Sequence, residues 1–465
     1  MSAPLLWIFS PLALAGLLLF PRNQRLVGLL ACILTVFLAA AAWLLPIDVA
    51  LAAGSGSFKL APSLEILGRR LTLTSADRSI LVLVYGSAFF WFLPASLART
   101  SRRLVPLGLA VTALLVAALA VEPFLYAALL IEMAVLLSIP ILATPGQTPG
   151  RGVIRFLIFQ TLAMPFILFS GWLLAGIEAT PGDLGLVQQA ALLLGVGFAF
   201  LLAVFPFYTW IPLLAEEAHP FVVGFILWMF PTVTMFFGLG FVDHYTWLRE
   251  SPVLANTLLA VGALMVVTGG LFAGFERHLG RIMGYAVIAE TGFALLAISL
   301  GRDSGLDLFL LLLVPRAISL SIWALSLSIL KEHLSDLVLE RAKGLGRIWP
   351  FATSGVVLAN LSLAGLPLLA GFPARQALWE GLARLSLPLA LWVLLGGLGF
   401  FSSGIRTLAV FIMAPEGSRW EARETRSQRI ALVLGWLGLL LLGLLPQWAL
   451  PLWTSLPPIF EHLGQ

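Results

Sequence analysis

The stretch VFPFYTWIPLLAEEAHP, residues 204–220, interrupts one long apolar run, and LAGLPLLAGFPARQ, residues 363–376, interrupts another. Each stretch holds two prolines six positions apart: Pro206 and Pro212, then Pro367 and Pro373. A proline inside a helix removes a backbone N–H donor and clashes with the preceding turn, so both stretches predict helix breaks. In a membrane, such breaks occur only where protein or a water-filled cavity pairs the freed backbone groups. Paired breaks in two halves of a chain point to the transport path of a protein built from inverted repeats.

Composition indicates that the whole chain lies in a membrane. Hydrophobic residues make up 60% of the sequence and charged residues 11%, and the mean hydropathy is +1.02. A soluble domain carries about 25% charged residues, because its surface needs them. We therefore predict an all-α polytopic membrane protein that forms one transmembrane domain over residues 1–465. The N-terminus lacks the basic segment of a cleavable signal peptide, so we expect its first apolar run to remain as a span.

The apolar runs predict fourteen spans, most of them near the roughly 20 residues that cross the hydrocarbon of a bilayer. The breaks fall in the seventh and twelfth spans, which are five spans apart. A repeating unit of five spans, an odd number, enters the membrane from the opposite side the second time. This predicts inverted repeats at about 104–242 and 253–412. A glycine-rich run, Gly396 to Gly404, predicts close helix packing. The predicted spans lie near 4–20, 25–45, 79–97, 104–121, 123–144, 153–176, 187–211, 220–242, 253–275, 281–300, 306–330, 350–372, 386–412 and 430–453.

The distribution of basic residues predicts the orientation. With the N-terminus outside, seventeen of the 27 lysines and arginines lie in inner loops, seven lie in outer loops and three lie within spans. Cytoplasmic loops carry an excess of Lys and Arg, so we expect both termini outside the cell, with the bacterial inner membrane as the location. The net charge of +4 then reflects membrane topology, and it indicates the lipid bilayer rather than a nucleic acid as the partner.

Two connecting segments have patterns of their own. The outer loop, about residues 47–77, alternates apolar and polar residues and predicts a β-hairpin that turns at Gly68. The inner segment from Lys331 to Pro350 carries leucines at helical spacing, at positions 334, 337 and 339. That spacing predicts a helix on the inner membrane surface, and a plain connector is the alternative.

Cofactor chemistry has no support in the sequence. Cys32 is the only cysteine, so the chain can form no internal disulfide, no thiolate iron–sulfur site and no cysteine-based zinc site. Neither a dinucleotide-binding GxGxxG in a βαβ setting nor a metal or flavin constellation occurs. We therefore predict no cofactor, no metal and no catalytic centre within this chain.

Ionisable side chains at the spans supply the candidate functional residues. Each costs about 2.5–3.5 kcal/mol on insertion scales, so each needs a partner or a function. Glu290 is expected to pair with Arg316, either as a packing contact or within a transport path. Glu132 has no basic residue one helical turn away, so its partner comes from another span or it stays protonated, as proton-relay carboxyls do. Arg375 follows the second break, and His219 is expected to face water.

Five segments in order resemble the antiporter-like membrane subunits of respiratory complex I, a family shared with Mrp-type antiporters and membrane-bound hydrogenases. The resemblance covers about residues 65–415. It implies the family fold, other membrane subunits of a complex as partners, an indirect link to redox subunits, and proton movement coupled to electron transfer elsewhere. The segments are LLIEM, FPFYTWIPLLAEEAHP, HLGRIMGYAVIAETGF, RAKGLGRIWP and LAGLPLLAGFPAR.

The chain departs from the family pattern at most of its titratable positions. Arg375 matches the family's terminal lysine or glutamate in kind, but an arginine keeps its proton and cannot hand it on. Glu290 replaces a histidine, and Tyr208 stands where the family has the histidine of PFH. Neutral residues stand at the family's lysine positions: Leu201, Thr232 or Val233, Gly280 and Leu320. The proton-path candidates are therefore Glu132, Glu290, Arg316, Arg375 and the hydroxyls of Tyr208 and Thr209.

Three functions stay open at this point. The first is an antiporter-like membrane subunit of a complex I-like assembly, an NADH-quinone oxidoreductase or a relative, that contributes to proton translocation. The second is a structural paralogue that seals and spaces the membrane arm without conducting. The third is a stand-alone or two-component transporter of a cation or another solute. The sequence indicates neither the ion nor the parent complex nor the electron donor.

Overall fold

In the computed structural model, the long apolar runs form helices. The structure describes residues 2–53, 56–66, 68–143, 146, 148–179, 184–301, 305–413, 420–447, 460 and 462–463. Within that part, nine helices are long and apolar enough to cross a bilayer, and five shorter helices are apolar as well. The prediction of a polytopic helical membrane protein is therefore confirmed, while the end of the last predicted span, residues 448–453, lies outside the described residues.

The helices are α1 Ser10–Leu18, which follows a π-helical turn at Leu5–Phe9, α2 Gln24–Leu44, α3 Arg78–Phe92, α4 Leu104–Ala120, α5 Ala127–Leu142, α6 Arg151–Ala179, α7 Leu184–Leu201, α8 Trp210–Glu217, α9 Pro220–His244, α10 Thr246–Arg249, α11 Pro252–Phe275, α12 Leu279–Ser299, α13 Gly305–Lys331, α14 Pro350–Leu363, α15 Gly371–Leu385, α16 Leu387–Ile412 and α17 Arg426–Leu444.

Helices α9, α12 and α13 form the centre of the bundle. In α9, 94% of the most apolar stretch is buried, against 17% in α17. A helix that is hydrophobic on all sides is typical of a position surrounded by other helices, and α9 buries rings such as Trp228 and Phe225 completely. Outer helices instead expose large apolar side chains, among them Phe169 and Trp392.

Glycines allow α11 and α16 to approach closely. A Cβ atom at Gly270 would lie 2.0 Å from the carbonyl oxygen of Gly396, and one at Gly399 would lie 2.3 Å from that of Gly270. Any larger residue at these positions would push the two backbones apart. The close packing predicted from the run Gly396 to Gly404 is therefore confirmed, and it follows the small-residue pattern of membrane helix interfaces.

The two helix breaks place their prolines in the same way. Helix α7 ends at Leu201 before α8, and α14 ends at Leu363 before α15. In each break one proline lies four residues before the new helix, and the other is the third residue of that helix. A proline is tolerated in a first turn because N–H groups there have no helical acceptor. Ala203 and Leu368, with φ of 50° and 76°, adopt the left-handed conformation that such residues rarely take, so the surrounding structure holds both breaks in shape.

The outer loop folds into two hairpins where the sequence predicted one. Strands β1 (Ala50–Ala53) and β2 (Gly56–Lys59) pair in antiparallel register, and so do β3 (Ser63–Ile66) and β4 (Arg69–Thr72). Gly68, with φ of 70°, lies in the turn between β3 and β4. A short strand after α4, β5 (Val121–Glu122), adds to the edge of β4. The loop is thereby attached to the helical bundle.

The predicted surface helix after Lys331 is wrong. Residues 332–349 form only 3₁₀ turns, at Leu339–Ala342 and Leu345–Arg347. The backbone pairs instead with the turn between α11 and α12: the Leu279 N–H donates to the Leu337 carbonyl, and the Leu339 N–H donates to the Arg277 carbonyl, both at 2.8 Å. These pairings bury Leu337 and Leu339 against the bundle, so the apolar spacing reflects packing rather than an amphipathic helix.

Candidate functional site

Glu290 and Arg375 form a buried ion pair beside the second helix break. Glu290 belongs to α12 and is 4% exposed, and Arg375 is the fifth residue of α15 and is 2% exposed. The Nη2 atom of Arg375 donates a hydrogen bond to Oε1 of Glu290. Because an unpaired charge is costly away from water, each group makes the burial of the other tolerable.

The break itself is shaped to hold the Arg375 side chain. The guanidinium carbon lies 3.7 Å from the ring centroid of Phe293, which is a cation–π geometry. A Cβ atom at Gly365 would lie 2.8 Å from Cδ of Arg375, and Gly365 has φ of 80°. Glycine is therefore needed at this point of the break both for the backbone conformation and for the space that the arginine occupies.

Arg316 makes different direct contacts from those expected: Glu290 forms its ion pair with Arg375, although the opposite charges of Glu290 and Arg316 still attract each other. Its Nη2 atom lies 3.4 Å from the Leu227 carbonyl oxygen and 3.4 Å from Oγ1 of Thr291. Leu227 precedes Pro231 by four residues in α9, and because proline has no N–H, that carbonyl lacks its helical donor. Arg316 supplies a donor in its place. In the sequence, the only signal for the Leu227 carbonyl as a partner was Pro231, a proline inside a predicted span.

The buried charges are only partly satisfied. Nε and Nη1 of both Arg316 and Arg375 are buried and have no hydrogen-bond partner. The single carboxylate of Glu290 interacts electrostatically with both of these guanidinium groups. Other buried polar side chains bridge the neighbouring helices: Ser319 donates to Ser362 at 3.0 Å, and Asn360 donates to Ser403 at 2.9 Å. So polar an interior is rare in a membrane bundle and is typical of a functional region.

Glu132 has a neutral partner. Its Oε1 atom accepts a hydrogen bond of 2.8 Å from the Thr161 hydroxyl of α6, and its Oε2 atom is buried without a partner. The partner does come from another span, but within the described residues it is not a cation. Leu129, Met133 and Leu136 on the same helix are about half exposed, so Glu132 lies towards the outer flank of the bundle.

A buried glutamine, Gln160, lies beside the first break. Gln160 is 1% exposed, and its Nε2 atom donates to the Leu201 carbonyl at 3.2 Å, one of the carbonyls left without a donor at the end of α7. Oε1 of Gln160 and Nε1 of Trp210 are buried without partners. Both residues line a cavity of about 10 Å³ together with Leu201 and Pro231. That volume is about the least that holds one water molecule.

The two predicted hydroxyls lie in different environments. Tyr208 and Thr209 belong to the 3₁₀ turn Phe207–Thr209 between the first break and α8. Tyr208 is buried, whereas Thr209 is exposed. The structure thus brings Glu290 and Arg375 together, with Arg316 reaching the adjacent Thr291, and leaves the other predicted residues in the first half of the chain.

His219 is half-buried at the end of the first break, so the expectation that it faces water is wrong. It immediately precedes α9, and its Nδ1 atom is buried without a partner. Burial lowers its pKa to about 4, and the nearby positive charge of Lys331 acts in the same direction. The Lys331 ammonium donates to the Ala218 carbonyl at 3.0 Å, which keeps this charge beside the imidazole.

Known proteins match most of this chain in sequence. A family model described as NADH:quinone oxidoreductase/Mrp antiporter, TM, matches residues 183–402, which include both breaks and the Glu290–Arg375 pair. NADH-quinone oxidoreductase subunit 14 of Thermus thermophilus is 30% identical over 335 residues, which are 68% of this chain and 72% of that protein.

Solved structures share the fold. A chain of the Mrp complex from Dietzia sp. has a TM-score of 0.81 at 17% identity, over 100% of this chain and 97% of that chain. A chain of respiratory complex I from Thermus thermophilus with bound NADH has a TM-score of 0.74 at 20% identity, over 99% of this chain and 100% of that chain.

Proposed function

Because this chain belongs to the NADH:quinone oxidoreductase/Mrp antiporter family of membrane subunits, we propose that it is an antiporter-like subunit of a complex I-like assembly. In this role it contributes to proton translocation, and the electron transfer that drives it takes place in other subunits. The observation that carries the proposal is the buried Glu290–Arg375 pair beside a broken helix. Buried ionisable groups and broken helices are typical of ion paths.

Glu290 is the proton-carrying group in this proposal. An arginine keeps its charge, so Arg375 and Arg316 act as fixed positive charges, and the carboxyl gains and loses the proton. The contacts of Arg375 with Phe293 and Gly365 hold the guanidinium in place during that change. Glu132, Tyr208 and Thr209 serve as secondary positions at which a proton or an ordered water passes through the first half.

The finer topology belongs to the same proposal. The nine long helices together with the five shorter apolar ones make up the fourteen crossings, arranged as inverted repeats at about 104–242 and 253–412. The equal placement of the prolines in the two breaks supports the repeat. Both termini lie outside the bacterial inner membrane. In a Cys32→Ala background, Ser57→Cys should react with an impermeant thiol reagent on intact cells and Ser101→Cys should not; the reverse labelling would overturn this orientation.

A non-conducting structural subunit is the second candidate. Leu201, Leu320 and Thr232, at the family's lysine positions, are buried and cannot carry a proton charge. Thr161, the partner of Glu132, is also neutral. A chain with these replacements keeps the family fold and its contacts with neighbouring subunits while losing ionisable groups of the path.

One double variant separates the two candidates. Glu290→Gln/Arg375→Gln removes both charges of the pair, and Arg316 keeps its contacts with the Leu227 carbonyl and Thr291, so the complex should still assemble. Proton pumping by the reconstituted complex should fall if the chain conducts, and it should stay normal if the chain is structural. Glu380→Gln/Arg384→Gln is the matched control, since it removes one negative and one positive charge from exposed positions of α15, the helix that carries Arg375.

Purification in mild detergent tests membership of a complex. Co-purifying membrane and redox subunits would support either candidate, and a chain recovered alone or with one unrelated partner would indicate the stand-alone transporter instead.

A further inference from the structure

A pocket of about 560 Å³ lies at the end of the bundle between α2 and the turn that joins α3 to α4. Its floor is apolar and includes the buried side chains of Val27, Cys32 and Phe92. Its mouth is polar and carries three arginines, Arg25, Arg102 and Arg103. The pocket is therefore divided into a charged end and an apolar end.

The charge of the mouth is not neutralised within the chain. Arg25, Arg102 and Arg103 are exposed, none of them forms an ion pair among the described residues, and no acidic residue lines the pocket. Other exposed arginines do pair: Arg99 with Glu332 at 3.1 Å, and Arg277 with Glu340 at 3.3 Å. Three unpaired guanidinium groups in one pocket mouth indicate an anionic occupant.

Two helix N-termini add to this positive field. Helices α2 and α4 both begin at the mouth, at Gln24 and Leu104. The N-terminal end of a helix carries partial positive charge and unpaired N–H groups, which attract anions. At α2 the Asn23 side chain already accepts from the N–H groups of Arg25 and Leu26, and at α4 no side chain caps the first turn but the Leu104 N–H donates to the Ser101 carbonyl. The two helices therefore contribute mainly their partial positive charge.

We propose that this pocket binds an anionic phospholipid. The phosphate group lies against Arg25, Arg102 and Arg103, and an acyl chain runs over the apolar floor towards the exposed Leu29 and Leu93 at the outer surface. Basic pockets between membrane helices recognise anionic headgroups, and the apolar floor accounts for the tail that a free phosphate lacks. The site lies outside the residues 183–402 that match the family model, and it does not depend on the proposed function.

Lipid retention tests the proposal. The full chain is delipidated in detergent, incubated with phosphatidylglycerol or phosphatidylcholine, and measured by native mass spectrometry. Phosphatidylglycerol should be retained in preference to phosphatidylcholine. Arg25→Gln/Arg102→Gln/Arg103→Gln should lower that retention by on the order of tenfold, since each basic residue at a membrane surface contributes to the attraction. The control Arg22→Gln/Arg155→Gln/Arg426→Gln, which changes exposed arginines outside the pocket, should not. Equal losses in the two triple variants would overturn the proposal.

Cys32 provides a second readout that is independent of lipid counting. It is the only cysteine of the chain and it lines the pocket floor. In delipidated protein, phosphatidylglycerol should slow the reaction of Cys32 with N-ethylmaleimide severalfold, and this protection should disappear in the triple arginine variant. Equal protection by inorganic phosphate would overturn the lipid assignment. Protection that persists in a delipidated assembled complex would also overturn it, because a neighbouring subunit would then cover the pocket.

Discussion

The two helix breaks have the same proline spacing and different chemistry. In both breaks, prolines in corresponding places and one left-handed non-glycine residue set the turn. At the second break a charged side chain, Arg375, reaches a buried carboxylate. At the first break the neutral Gln160 meets the freed carbonyl of Leu201. The proline spacing is thus common to both breaks, and the buried charge is a separate property of the second break.

The difference predicts unequal sensitivity to mutation. A buried ion pair that loses one member leaves an uncompensated charge, whereas a neutral hydrogen bond that is lost leaves at most an unpaired dipole. Changes at the second break should therefore be more damaging than equivalent changes in the first half.

The largest effect is expected from breaking the Glu290–Arg375 pair. Glu290→Gln or Arg375→Gln alone should lower the free energy of unfolding by about 3–5 kcal/mol or prevent assembly, because the remaining charge stays buried. The double variant should be much less damaging. Yield of assembled complex and thermal unfolding in detergent measure the effect. If the double variant were as damaging as either single one, the two residues would not act as a pair.

Loss of Arg316 should have the next largest effect. Arg316→Leu leaves the Leu227 carbonyl without a donor, at a cost of about 1–3 kcal/mol. Adding Pro231→Ala restores a backbone N–H four residues after Leu227, so the double variant should recover part of that loss. Combining Arg316→Leu with Pro165→Ala, a proline of α6, is the control and should recover nothing. Thermal unfolding of these three variants and of the single variants Pro231→Ala and Pro165→Ala tests this, and strictly additive effects of Arg316→Leu and Pro231→Ala would contradict the assigned contact.

A smaller effect is expected at Glu132. The amide of Glu132→Gln still accepts the hydrogen bond from Thr161, so stability should change by less than about 1 kcal/mol and the complex should assemble. Proton pumping in reconstituted vesicles should fall less than in the Glu290→Gln/Arg375→Gln variant. Complete loss of pumping in Glu132→Gln would instead assign the main path to the first half.

The smallest effect concerns pH. His219 has a pKa of about 4 in the folded protein, against about 6.5 for an unperturbed histidine. Between these pH values the unfolded chain binds more protons than the folded one, so stability falls as the pH drops from 6.5 towards 4. His219→Gln should reduce the loss of thermal stability between pH 7 and pH 5, and His462→Gln, at an exposed site, should not. Identical pH profiles of the wild type and His219→Gln would show that this imidazole is not protected from protonation.

The membrane class, most of the helices and the two helix breaks can be predicted from the amino-acid sequence. These features depend on local properties: the length of an apolar run, the missing N–H of proline and the freedom of glycine. The helix ends at Leu201 and Leu363 and the close approach at Gly396 follow directly from them. The inner leucines were the exception, because backbone pairing with the turn before α12 replaced the helix that their spacing predicted.

Which charged groups meet depends on how the helices pack in the folded chain. Glu290 had three arginines available in later spans, Arg316, Arg375 and Arg406, and the choice of Arg375 depends on how α15 packs against α12. Arg316 is directed to a carbonyl that Pro231 frees on a helix 89 positions away in sequence. In the same way Arg25 and Arg102 are only topology signals in the sequence, and they line one pocket because α2 folds back beside the start of α4. Electrostatic partners depend on distances of a few ångströms between helices, and a one-dimensional pattern does not contain those distances.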